Sequence, residues 1–111
     1  MLRIIPNKNN IGAEIVINLQ KLSKENFKII IDALNKYGMI FFKKQNLSSK
    51  HYIEFAKNFG ELADYPRLKG LNKKYPQITV VQRKETDKGP SFGEQFHTDS
   101  IYTKKPPRFT M

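Results

Sequence analysis

At 111 residues the chain has the size of one small domain, and its 39% hydrophobic and 12% aromatic residues suit a core and exclude a disordered polypeptide. It contains no cysteine, which excludes a disulfide framework and a thiolate metal site and is what a reducing cytoplasm permits. The formal net charge of +10 rests on 16 lysines and 4 arginines scattered along the chain, whereas nucleic-acid readers favour arginine; the expectation is no nucleic-acid partner, and a positive field that draws in small anions.

Met1-Leu2-Arg3-Ile4-Ile5-Pro6-Asn7 lacks the long apolar stretch of a signal peptide, and the densest apolar run, Met39-Ile40-Phe41-Phe42, is too short to cross a bilayer. A soluble, cytoplasmic protein with no membrane partner is the expectation. Ile11 to Asn18 is rich in β-branched residues and reads as a strand. Ser23 stands where an N-cap belongs, ahead of Phe27, Ile30, Ile31 and Leu34 at helical spacing, and Gly38 ends that helix. Met39 to Lys43 suits a buried strand. A second helix opens at Ser48 or Ser49, carries Tyr52, Phe55, Ala56 and Phe59 on one face, and closes at Gly60. Glu61 to Gln77, with Pro66, Gly70 and Pro76, reads as a loop; Ile78 to Gln82 reads as a strand. Lys84 to Gly93 is a second polar loop, long enough to act over a site. Phe96 to Tyr102 alternates like a strand, Pro106-Pro107 interrupts it, and another strand starts at Thr110-Met111.

The chemistry concentrates in Phe96-His97-Thr98-Asp99. Residues i and i+2 of a strand point to one face, so a strand here projects His97 and Asp99 together. An imidazole and a carboxylate so placed can share a divalent metal. With a second His from elsewhere they form the two-His, one-carboxylate set used by non-haem Fe(II). In isolation the tripeptide reads by default as a surface His-Asp pair. A hydrolytic reading needs a nucleophile, and neither Ser91 nor Ser100 is marked as activated. His51, at the start of the second helix, reads as a partly exposed surface residue.

The surroundings of the tripeptide decide between these readings. Ile11-Gly12-Ala13-Glu14-Ile15, then Tyr37-Gly38-Met39-Ile40-Phe41-Phe42-Lys43-Lys44-Gln45, Asn46-Leu47-Ser48, Phe55-Ala56-Lys57-Asn58-Phe59-Gly60-Glu61-Leu62, and Phe96-His97-Thr98-Asp99-Ser100 followed by Pro106-Pro107, form five blocks. In order and spacing they resemble the taurine dioxygenase (TauD/TfdA) family of Fe(II)/2-oxoglutarate-dependent dioxygenases. The aromatic and glycine positions of these blocks identify the scaffold through packing and helix ends, and do no chemistry.

The resemblance implies a β-rich α+β fold, a double-stranded β-helix (jelly roll, cupin-like) with flanking helices, incomplete in this chain. Residues 1–111 would then be the N-terminal portion of a single catalytic domain, truncated before its C-terminal half. It implies Fe(II) held by His97 and Asp99, 2-oxoglutarate as co-substrate and O2 as oxidant, with succinate and CO2 released. Lys84 to Gly93 would cover the site, with Gly89 and Gly93 permitting movement. The implied substrate is a small organic anion, a sulfonate or carboxylate; the full-length protein is a candidate homo-oligomer.

Three positions depart from the family pattern. Tyr65, before Pro66, occupies a place where sulfonate-using members carry a substrate-contacting His, and Gly93 a place where some carry a substrate-binding Asn; both are candidate substrate-binding positions. Phe96 replaces the usual Trp, an aromatic exchange expected to preserve packing. The second His of the metal set and the Arg that grips 2-oxoglutarate lie, in the family, beyond the position matching Met111. The 111 residues alone are therefore expected not to turn over. The alternative reading is a non-catalytic remnant acting as a binding or assembly partner.

Overall fold

The computed structural model describes all 111 residues, which fall into two compact units, Met1–Asn58 and Phe59–Met111. The first unit is built on a three-stranded mixed sheet. Strand β1 (Arg3–Pro6) pairs antiparallel with β2 (Ala13–Val16) in the register Arg3 to Val16 and Pro6 to Ala13. β2 pairs parallel with the short β3 (Ile40–Phe41), joining Ala13 to Ile40 and Glu14 to Phe41. The β1–β2 turn needs a glycine: Gly12 has φ +81°, and a Cβ there would fall 2.8 Å from Asn7 Nδ2 and 2.9 Å from Met39 Cε.

Helix α1 (Lys24–Tyr37) connects the parallel strands and begins and ends as its sequence predicts. Ser23 Oγ accepts from Asn26 N at 3.1 Å, and Gly38, at φ +72°, returns its N–H to Leu34 O at 2.8 Å. Helix α2 (Ser49–Lys57) is capped by Ser48, whose Oγ accepts from His51 N. It ends three residues earlier than Gly60, because the Asn58 side chain donates to the Glu54 and Phe55 carbonyls and terminates it. A single turn of 3-10 helix, Leu19–Lys21, follows β2.

The core of this unit is Ala13, Ile15, Leu19, Ile30, Ala33 and Phe55, with Ile30 wholly buried. Phe42 meets Phe55 edge-on at 5.5 Å. Gln45 ties two connections together: its Oε1 accepts from Leu19 N, and its Nε2 donates to Ile17 O at 2.8 Å and Lys43 O at 3.0 Å. The Gln that follows the apolar strand in the resemblance thus satisfies backbone groups that no strand pairs.

The second unit is mostly irregular. It holds one antiparallel hairpin, β4 (Gly70–Asn72) and β5 (Tyr75–Thr79), in the register Gly70 to Thr79 and Asn72 to Tyr75. Its turn is made by Asn72, whose Oδ1 accepts from Lys74 N and Tyr75 N, both at 2.9 Å. The expected loop to Gln77 therefore contains a strand and a half, and the expected strand at Ile78 to Gln82 begins earlier and stops at Thr79. A second expectation is corrected as well: Phe96 to Tyr102 is not a strand, being irregular to Thr98 and a turn from Asp99 on. Alternation sets which face a strand would bury, but a strand forms only where another backbone pairs with it, and none in this chain does. No strand forms at Thr110-Met111 either. The architecture is a small α+β fold with one mixed and one antiparallel sheet. No helix is long and apolar enough to cross a membrane.

Candidate metal centre

His97 and Asp99 do converge, without the strand that was expected to aim them. His97 Nε2 lies 3.1 Å from Asp99 Oδ1, with both side chains about half exposed (52% and 49%). A corner follows immediately after Asp99. Ser100 turns the chain at φ +52°, and its carbonyl accepts from Thr103 N at 3.1 Å and Thr103 Oγ1 at 2.9 Å. On the other side, Gln95 O faces His97 Nδ1 within hydrogen-bond distance. A carbonyl can only accept, so Nδ1 carries the proton and Nε2 is the nitrogen turned toward Asp99.

This geometry suits two neighbouring ligands of one ion. Donors each about 2.1 Å from a first-row metal and at right angles to one another stand about 3.0 Å apart. The Gln95 carbonyl stands where the outer acceptor of a metal-binding imidazole would stand, a partner the sequence did not reveal because it is a backbone group. The pair is not a complete site. No group of three or more His, Cys, Asp or Glu side chains is placed to hold a metal ion. His51 belongs to the first unit, on α2, where its Nδ1 is buried without a hydrogen-bond partner.

Without metal, both imidazole nitrogens face acceptors. The Gln95 hydrogen bond, followed by the Asp99 charge and hydrogen bond, raises the His97 pKa above that of an ordinary histidine; partial loss of solvent opposes this. The sign follows from linkage. A raised folded-state pKa favours the protonated form, so any stabilisation is present below the ordinary value of about 6.5 and is lost as pH rises through the higher folded value. A proton-NMR titration of the His97 ring should therefore place its midpoint above the ordinary value. Asp99→Asn should lower it only part of the way, since the Gln95 contact survives. A midpoint unmoved by Asp99→Asn would show that the carboxylate does not act on the ring.

Of the two substrate-site candidates, Gly93 abuts the imidazole. It sits at φ +73°, and a Cβ built on it would be 3.6 Å from His97 Cε1. Being glycine, it leaves that ring edge uncovered. Tyr65 meets Phe92 edge-on at 6.4 Å. The nearby Tyr102 side chain first, and lost solvent second, raise its phenol above the usual range. Phe96 is the clear departure from expectation. It is fully exposed, so the aromatic exchange preserves no packing in this chain.

The loop before the motif is held by Arg83, which sequence reading passed over. Its guanidinium donates to Ser91 Oγ at 3.0 Å and Gly89 O at 2.9 Å, and Asp87 Oδ2 accepts from Lys84 N at 2.9 Å. Gly89 and Gly93 both occupy left-handed backbone positions within this tied loop. Arginine next to a Gly-Pro-Ser loop was the available signal.

The structure is thus an α+β chain that presents an oriented imidazole beside a carboxylate at a distance one ion could share. Residues 3–111 match the family model for taurine catabolism dioxygenase, the TauD, TfdA family, and the chain belongs to that family. Among solved structures it is similar to a protein of Burkholderia xenovorans provisionally assigned as an alpha-ketoglutarate-dependent taurine dioxygenase. The TM-score is 0.63 at 29% sequence identity, over 75% of this chain and 32% of that one. The chain thus spans about a third of the length of that structure.

Proposed function

We propose that this chain is the part of an Fe(II)- and 2-oxoglutarate-dependent dioxygenase that contributes His97 and Asp99 to the metal, within a protein that oxidises a small organic anion. The observation that carries the reading is the 3.1 Å approach of His97 Nε2 to Asp99 Oδ1 with Nδ1 directed at Gln95 O, in a chain of this family. Iron bound there supplies the redox chemistry that couples O2 reduction and 2-oxoglutarate decarboxylation to substrate oxidation, releasing succinate and CO2.

The chain's own residues have narrower tasks. Neutral His97 offers the Nε2 lone pair while Gln95 O keeps its proton on Nδ1. Asp99 adds negative charge beside it and leaves its second oxygen free to accept a further hydrogen bond. Gly93 keeps the ring edge open, and Tyr65 presents an aromatic wall. Family membership supports a double-stranded β-helix as the fold that the whole protein completes.

The test is succinate formation by the whole protein, dependent on Fe(II), 2-oxoglutarate and O2 and stimulated by members of a panel of small carboxylates and sulfonates. With two donors and no third, the 111 residues alone are expected to form none. Whole protein that consumes no 2-oxoglutarate with any panel member, in the presence of bound iron, would favour the non-catalytic reading.

A further inference from the structure

The segment that carries His97 has almost no packing to hold it. Every side chain from Val80 to Asp99 is exposed, and none of these residues lies in a helix or strand. Phe92 touches Tyr65 by one ring edge, and Val80 N donates to Lys69 O at 3.3 Å. The rest of the segment owes its shape to hydrogen bonds made within it.

Two small turns supply most of them, each closed in both directions by a carboxylate residue. In the first, Lys84 N donates to Asp87 Oδ2 at 2.9 Å and Asp87 N returns to Lys84 O at 3.1 Å. In the second, Ser91 N donates to a Glu94 carboxylate oxygen and Glu94 N returns to Ser91 O at 3.2 Å. This second turn contains Gly93, which abuts the imidazole, and runs directly into Gln95, whose carbonyl faces His97 Nδ1.

Arg83 joins the two turns. Its Nη1 donates to Ser91 Oγ at 3.0 Å in the second turn, while Nη2 donates to Asp87 O at 3.5 Å in the first and to Gly89 O at 2.9 Å between them. Pro90 has no N–H to give, so the backbone is poorly equipped to make this link itself. A planar guanidinium donates from two nitrogens in fixed directions and spans such acceptors, which a point-like ammonium does not. The neighbouring Lys84 and Lys88 side chains make no bond of this kind.

We infer that Arg83 is a positioning residue for the His97 imidazole, acting through the Ser91–Glu94 turn on Gly93 and the Gln95 carbonyl. It touches neither the ring nor Asp99, and its effect is to fix where the ring stands. The inference rests on the dioxygenase reading only in calling His97 a metal ligand.

The test is NMR of the labelled 111-residue chain without metal, reading the nuclear Overhauser contact between Gly93 Hα and the His97 ring and the ring's nitrogen spectrum. The parent should show the contact and a neutral ring protonated at Nδ1. Arg83→Ala should lose the contact and give a mixture of tautomers, and Ser91→Ala should weaken both in the same direction. Arg83→Lys, which keeps the charge without the fork, should restore them only in part. Lys84→Gln removes the adjacent charge and should change neither. The β4–β5 cross-strand contacts, which Arg83 does not reach, should persist in every variant. An unchanged His97 ring in Arg83→Ala, full rescue by Arg83→Lys, or loss of the β4–β5 contacts together with the His97 contact would each overturn the inference. Mn(II) added to the same samples reads the metal claim separately, and Arg83→Ala should weaken its binding about tenfold, the low end for an outer partner of a metal site. A parent chain that shows the Arg83-dependent contact but binds no Mn(II) upholds the positioning role and counts against the metal reading. Equal Mn(II) binding by parent and Arg83→Ala would overturn the positioning role and leave the metal reading standing.

Discussion

Ile30→Ala is expected to destabilise the first unit by about 2–5 kcal/mol, the usual range for emptying a fully enclosed aliphatic site. Ile30 is 0% exposed, on the face of α1 that also buries Ala33, and only six hydrophobic residues in the chain are buried. So few residues cannot readily close around the missing methylenes. Since small domains are stable by only about 5–15 kcal/mol in total, the change takes a large share of the margin. Denaturant unfolding should show a lower midpoint with little change in slope. A loss of less than about 0.5 kcal/mol, the size of an ordinary surface substitution, would mean that Ile30 is not the centre of this core.

His97→Ala and Asp99→Ala are the substitutions with the largest expected effect on activity. Losing an outer-shell partner of a metal site typically costs about 10- to 100-fold in affinity or activity. Losing a ligand should cost more, so turnover by the whole protein should fall below detection for either variant. Phe96→Ser provides a control one residue away. Its ring is fully exposed, and the change should leave stability of the 111-residue chain within about 0.5 kcal/mol of the parent. Equal losses of metal binding for Phe96→Ser and His97→Ala would point to a folding defect in place of a ligand role.

The parts of the fold set by local chemistry were legible in the residues. Ser23 and Gly38 mark the ends of α1, Ser48 the start of α2, and Ile30 and Phe55 the inward faces of the two helices, because capping and periodicity act over a few positions; Phe41, Phe42 and Phe59, read as core from the same blocks, are only half-buried. What needed a partner was not. β1 carries little signal of its own and exists through pairing with β2. The hairpin at Gly70 to Thr79 depended on the Asn72 side chain making a turn inside a lysine-rich stretch that read as loop. The alternation of Phe96 to Tyr102 was real but found no neighbouring backbone. The donor pair was found for a reason that proved partly mistaken: His97 and Asp99 meet in irregular backbone, not on a strand. The contacts of Gln95 O and Arg83 could not be read from the residues, since one is a backbone oxygen and the other acts through bonds within one loop.

The central claim is that His97 and Asp99 take one divalent metal between them. Its most direct test is Mn(II) titration of the labelled chain, with paramagnetic broadening read residue by residue. The claim predicts selective loss of the His97 ring and Asp99 signals at substoichiometric metal, abolished in both Ala variants and relieved by a chelator. Broadening spread evenly over exposed carboxylates such as Glu61, Asp64 and Glu85, with His97 unaffected, would contradict it.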